Sequence, residues 1–116
     1  MSSKKRLTTE NALAALAREG GHYLKLFRHG SLHVEIYQPK KEDPQTAHTL
    51  DEIYVVISGS GFFVCDEDRQ PFEPGDVLFV PAGLEHRFVE FSDDFATWVF
   101  FYGPEGGEGD NWFSHR

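Results

Sequence analysis

From Tyr23 onward, apolar and polar residues alternate with a period of two, and the alternation breaks at clusters of glycine, proline and acidic residues. Successive side chains of a strand point to opposite faces, so each run predicts one half-buried strand. The runs fall at residues 23–28, 32–37, 52–57, 62–65, 77–80, 86–91 and 96–102. His29-Gly30-Ser31, the polar loop from Pro39 to Pro44, Ser58-Gly59-Ser60-Gly61, Asp66-Glu67-Asp68, Phe72 to Asp76 and Pro81-Ala82-Gly83 supply the turns between them. Before Tyr23 the period changes. Thr8 or Thr9 is placed to cap a helix over residues 11–17, with Leu13, Leu16 and Ala17 on one face, and Gly20-Gly21 ends it. Many short strands, Gly/Pro turns and a single short helix predict an all-β sandwich or antiparallel barrel.

The alternation also assigns faces. Tyr54 and Val56 share the face of Glu52, leaving Ile53, Val55 and Ile57 as an outward apolar row. That row needs cover from the N-terminal helix or from a two-fold partner, and a homodimer is predicted. His33, Glu35 and Tyr37 share a face that is either a polar exterior or a set of substrate contacts inside the barrel. Alternation from His86 places Phe88 and Glu90 beside it. His22, His29 and His115 are expected at the surface.

A chain of 116 residues supports one core, here divided as a tail and helix over 1–21, a barrel over 22–103 and a flexible glycine-rich tail over 104–116. Eleven Phe, four Tyr and two Trp provide bulky filling for a wide barrel. The net charge of −8 repels phosphate backbones and anionic lipid, which argues against nucleic acid or membrane partners. Cys65 is the single cysteine, so no intrachain disulfide forms, and its place near a turn reads as an ordinary strand position. Without a long apolar run or a secretory pattern, the chain is expected in the cytoplasm.

Two segments carry chemistry. His48 and Glu52 lie four residues apart, with Gly59 seven further on; Gly75, Pro81, Gly83 and His86 follow at offsets of six, two and three. These segments resemble the two motifs of the cupin superfamily, G-x5-H-x-H-x(3,4)-E-x6-G and G-x5-P-x-G-x2-H-x3-N. The resemblance covers about residues 22–103 and implies a cupin-type antiparallel β-barrel (a double-stranded β-helix, or jelly roll). It also implies a divalent Fe, Mn, Ni or Zn ion held by His48, Glu52 and His86. Two departures stand out: Thr46 replaces the first histidine of the pair, and Glu90 replaces the terminal asparagine. Gln45, Asp51 and Glu35 are the nearby alternatives for a further donor.

The resemblance implies a metal-dependent enzyme acting on a small metabolite, of dioxygenase or isomerase type, with Tyr54 and Glu90 moving protons. A non-enzymatic small-molecule binder or sensor uses the same pocket, with or without metal, and the missing histidine favours it. Metal-free epimerase chemistry would pair His48 with Asp51 and Tyr54, although alternation sets Asp51 on the face opposite His48.

Overall fold

A computed structural model describes residues 5–109 of the chain. One helix, α1 (Thr9–Glu19), precedes eight strands: β1 (Tyr23–His29), β2 (Leu32–Tyr37), β3 (Asp51–Ser58), β4 (Gly61–Cys65), β5 (Asp68–Phe72), β6 (Val77–Val80), β7 (His86–Val89) and β8 (Ala96–Tyr102). They form two antiparallel sheets, one of five strands in the order β1-β2-β8-β3-β6 and one of three in the order β5-β4-β7. The non-sequential order is that of a jelly roll, and the architecture is a cupin-type all-β barrel with a short N-terminal helix.

Register decides what faces the interior. One row of the large sheet runs Lys25, Glu35, Val99, Tyr54, Leu78, and the row two residues along runs His33, Phe101, Glu52, Val80. The two faces of β2 proposed from sequence therefore resolve with His33, Glu35 and Tyr37 turned toward the barrel interior. Tyr37, Tyr54, Val56, Phe63, Phe72, Val80, Phe88, Phe95 and Val99 fill the core below them. Phe88 is its hub, with ring centroids 4.9 Å from Tyr54 and Phe63 and 4.6 Å from Phe95. Tilted and edge-on aromatic packing of this kind adds to the burial gain.

The opposite face of the large sheet is covered by α1. Thr8 caps the helix by accepting a hydrogen bond from the Asn11 amide at 3.1 Å. Ala12 and Leu16 pack on Ile36, flanked by Leu13, Leu24, Leu26, Ile57 and Trp98. Leu16 is buried, which stabilises the docking of the helix by about 2 kcal/mol. The helix thus covers Ile57, while Ile53 and Val55 stay half-buried.

Three features differ from expectation. β5 was hidden because Asp68-Arg69-Gln70-Pro71 is polar and exposed; it pairs only with β4, and such an edge tolerates Pro71. β7 stops at Val89 rather than continuing to Phe91. The segment after residue 103 is tied down as far as Glu108, whose amide donates to Asp51, while the Gly106 amide donates to the Thr49 carbonyl. Residues 110–116 of the expected tail, including His115, lie outside the described residues.

Gly59 and Gly75 take the positive φ values expected of them, 86° and 91°. Gly59 has a second constraint: a Cβ there would lie 2.5 Å from the Phe95 Cα.

Candidate metal centre

β3 begins with two buried acids of opposite orientation. Asp51 and Glu52 are adjacent, so one side chain points along the barrel wall and the other into the barrel. Asp51 acts as a clamp. Its Oδ1 accepts from the Ala82 amide at 2.9 Å and its Oδ2 from the Glu108 amide at 2.8 Å. The Gly83 amide donates to the His48 carbonyl at 2.7 Å. The Pro81-Ala82-Gly83 turn that leads to His86 is therefore fastened to the segment carrying His48 and Glu52. Two stretches of sequence 31 or more residues apart are held in one place by two hydrogen bonds, one to the Asp51 carboxylate and one to the His48 carbonyl. With its carboxylate engaged in this way, Asp51 makes no pair with His48.

The clamp brings His48, Glu52 and His86 together, with one donor atom from each within 4.8 Å of the others. Glu52 is fully buried, with Oε1 3.0 Å from the Nε2 of His86 and 3.9 Å from the Nε2 of His48. The contact with His86 is short but lacks the alignment of a hydrogen bond. Both carboxylate oxygens of Glu52 and the Nε2 of His86 are buried with no hydrogen-bond partner. The other ring nitrogen of His86, Nδ1, lies 3.0 Å from the Leu84 carbonyl and can only donate to it. In the neutral ring the Nε2 lone pair then faces the lone pairs of a carboxylate. Two acceptors so placed repel unless a cation stands between them, and the candidates are a proton on Nε2 or a metal ion. The donor set of two imidazoles and a carboxylate fits a divalent transition metal.

The charge states agree. Burial and the neighbouring His86 hold the His48 pKa below the ordinary imidazole value despite the opposing pull of Glu52, so His48 stands neutral with a free lone pair. Burial also disfavours charge on His86, but Glu52 and the Leu84 carbonyl outweigh it and raise its pKa. In the absence of metal, a proton competes for that position.

Above the donors opens a cavity of about 410 Å3 whose lining includes Lys25, Glu35, Tyr37, Gln45, Thr46 and His48. A smaller one of about 200 Å3, reaching His33 and Thr49, shares Lys25, Glu35, His48 and Phe101 with it. Thr46 is exposed at the rim. Gln45 sits 3.5 Å from the His48 Nε2 through its Oε1, which also accepts from the Tyr54 hydroxyl at 2.8 Å.

The two residues expected to move protons are placed differently. Tyr54 is fully buried beneath the donors and outside both cavity linings, and burial with the nearby Glu52 raises its pKa far above the usual phenol value. Glu90 requires a correction. Its φ of 51° breaks the alternation from His86, and its side chain, 68% exposed, pairs with Arg69 at 2.6 Å on the outside of the small sheet. It does not share the pocket. Cys65 is half-buried against the core, and burial, Asp66, Asp68 and Glu52 push its thiol pKa up, the opposite of an activated thiol. His22 and His29 are exposed as expected.

Asp43 is the residue that sequence reasoning missed. It accepts from the Tyr37 hydroxyl, from the Gln45 amide at 3.1 Å and side chain at 2.9 Å, and from the Phe88 amide at 2.8 Å. One carboxylate thus pins the loop before His48 against β2 and β7. The available signal was the strand edge: β7 pairs with β4 alone, so the Phe88 amide needed a partner from outside the sheet.

A barrel of two antiparallel sheets with two histidines and a glutamate converging at its mouth defines a class, and comparison with known proteins agrees. Residues 33–102 match the family profile described as the cupin domain, and the chain belongs to that family. It is 33% identical over 94 residues to an uncharacterized protein of Streptomyces coelicolor, covering 79% of this chain and 90% of that one. It is 31% identical over 99 residues to acireductone dioxygenase 4 of Oryza sativa, covering 78% of this chain and 54% of the relative, so it spans about half of that enzyme's length. A cupin 2 conserved barrel domain protein from Salinispora arenicola superposes with a TM-score of 0.59 at 23% identity, over 70% of this chain and 74% of that one.

Proposed function

We propose that the chain binds a divalent transition metal through His48, Glu52 and His86 and acts on a small metabolite that enters the cavity above them. The observation that carries this reading is the buried, unpartnered set of Glu52 Oε1, Glu52 Oε2 and His86 Nε2. A metal ion between the carboxylate and the facing imidazole nitrogen would relieve all three atoms at once, where each unpaired buried polar group otherwise costs about 1–3 kcal/mol. A bound metal would supply Lewis-acid or oxygen-activating chemistry. Three protein donors leave coordination positions for substrate, and the cavity gives access to them. Similarity to acireductone dioxygenases favours oxygenase chemistry over isomerisation. Tyr54 acts here by holding Gln45 beside His48 rather than by exchanging protons with substrate. The reading includes a cytoplasmic homodimer; a monomer by light scattering at micromolar concentration would contradict the oligomeric part.

Oxygen uptake by Fe(II)-loaded protein across a panel of enediols, thiols and phenolic acids tests the proposal. Uptake that is absent from Glu52→Gln is the expected result. Thr46, exposed at the rim where the family has a histidine, favours one alternative, a binding module that retains its ligand without turnover. Tight retention of a co-purified small molecule with no oxygen uptake and no isomerisation by any metal form would establish that instead.

A further inference from the structure

The cavity has a second charged wall, on β1 and β2, separated from Glu52 on β3 by β8. Glu35 forms it. The residue is 8% exposed and lines both cavities. Among the described residues, no group lies within hydrogen-bonding or ion-pairing distance of its carboxylate. Lys25 stands opposite it in the β1–β2 register and lines the same space. In the same row of the sheet, Val99 shows that an apolar side chain packs there without difficulty. The core packing does not call for a carboxyl in that row, and an acid with no protein partner that lines a cavity is a candidate functional position.

We infer that Glu35 is a proton-transfer residue of this cavity, exchanging a proton with a small carbonyl compound bound beside the His48–Glu52–His86 cluster. This rests on the metal-binding reading above. In the step, a C–H bond next to a carbonyl of the small molecule breaks. Its electron pair stays on the molecule as an enolate, and the proton forms the O–H of the Glu35 carboxylic acid. Return of that proton to carbon or oxygen restores the carboxylate, and no oxidant is consumed. Burial raises the Glu35 pKa, Lys25 opposes the rise and Glu52 adds to it. The titratable groups facing it are Tyr23 and Lys25 from β1, His33 and Tyr37 from its own strand, His48 from the loop and Glu52 from β3; β8 contributes Val99 and Phe101.

The test uses the full chain loaded with Zn(II), which has no redox chemistry, and hydroxyacetone in D2O as the probe. Proton NMR follows deuterium entering the carbon next to the carbonyl. The wild type is expected to exchange, and Glu35→Gln to lose at least about a hundredfold while binding the same amount of zinc. Lys25→Met keeps the carboxylate and should move the midpoint of the pH–rate profile upward. Independently of turnover, 13C-labelled glutamate should give one carboxyl resonance that titrates above the usual range, responds to hydroxyacetone and is missing from Glu35→Gln. Full zinc binding with wild-type exchange in Glu35→Gln overturns the role of Glu35 alone, as does zinc-loaded wild type without exchange. Loss of zinc in Glu35→Gln would make the residue a ligand and overturn it too. Failure of the wild type to bind zinc overturns the metal reading and this inference with it.

Discussion

Replacing Glu52 by glutamine should make the metal-free protein more stable and the metal-loaded protein less so. Above its folded-state pKa, which Glu52 and the Leu84 carbonyl raise, His86 is neutral and its Nε2 lone pair faces Glu52 Oε1 at 3.0 Å. A glutamine amide placed there donates to that lone pair. The substitution removes a buried, unpaired charge and adds one hydrogen bond, worth about 2 kcal/mol together. For a domain of this size that raises Tm by about 8 °C. Metal reverses the order. A ligand present at a hundred times its Kd stabilises the native state by about 2.7 kcal/mol, so wild type should rise by about 10 °C and overtake the variant, which gains little. Thermal denaturation followed by circular dichroism, with chelator and then with Zn(II) or Mn(II), reads both effects. If Glu52→Gln melts below wild type in chelator, or if metal raises both proteins equally, the donor cluster is not a site held open for a cation.

Other consequences follow from the same contacts. Asp51→Asn keeps one acceptor and turns the other into a donor facing an amide, which should cost about 2 kcal/mol in urea denaturation and weaken metal binding about tenfold. Gly59→Ala meets both a positive φ and the Phe95 backbone, and should lose about 2–3 kcal/mol in the same assay without altering metal stoichiometry in the folded fraction. Stability should depend on pH in opposite senses with and without metal. The raised His86 pKa gives the metal-free fold a contribution that is complete below the unfolded imidazole value of about 6.5 and is lost as pH rises through the folded value. Protons compete with metal, so metal affinity measured by competition with a chelator should instead increase over that interval. A metal-free melting temperature that rises with pH there would contradict the assignment of the His86 proton.

The fold was legible wherever alternation is strong and buried. Glu52-Ile53-Tyr54-Val55-Val56-Ile57 and Ala96 to Tyr102 form long central strands whose pattern has one reading. β5 was not legible, because an edge strand paired on one side needs no apolar pattern and accepts proline. His48, Glu52 and His86 were singled out by the resemblance of their two segments to the cupin motifs, and the structure brings the three side chains together. Glu90 was misplaced because alternation was carried one residue past the end of β7, where a left-handed residue turns the chain outward. Asp43 and the role of Asp51 depend on which backbone amides are left unpaired by the sheets. That is a property of the assembled barrel, and no local pattern reports it.

The central claim is that the three donors His48, Glu52 and His86 hold a metal. Elemental analysis of untagged protein purified without chelator, beside His48→Ala, Glu52→Gln and His86→Ala, tests it most directly. Near-stoichiometric iron, manganese, nickel or zinc in wild type, lost from all three variants that still fold, is the predicted result. A wild type that is empty and cannot be reconstituted with any of these ions would contradict it.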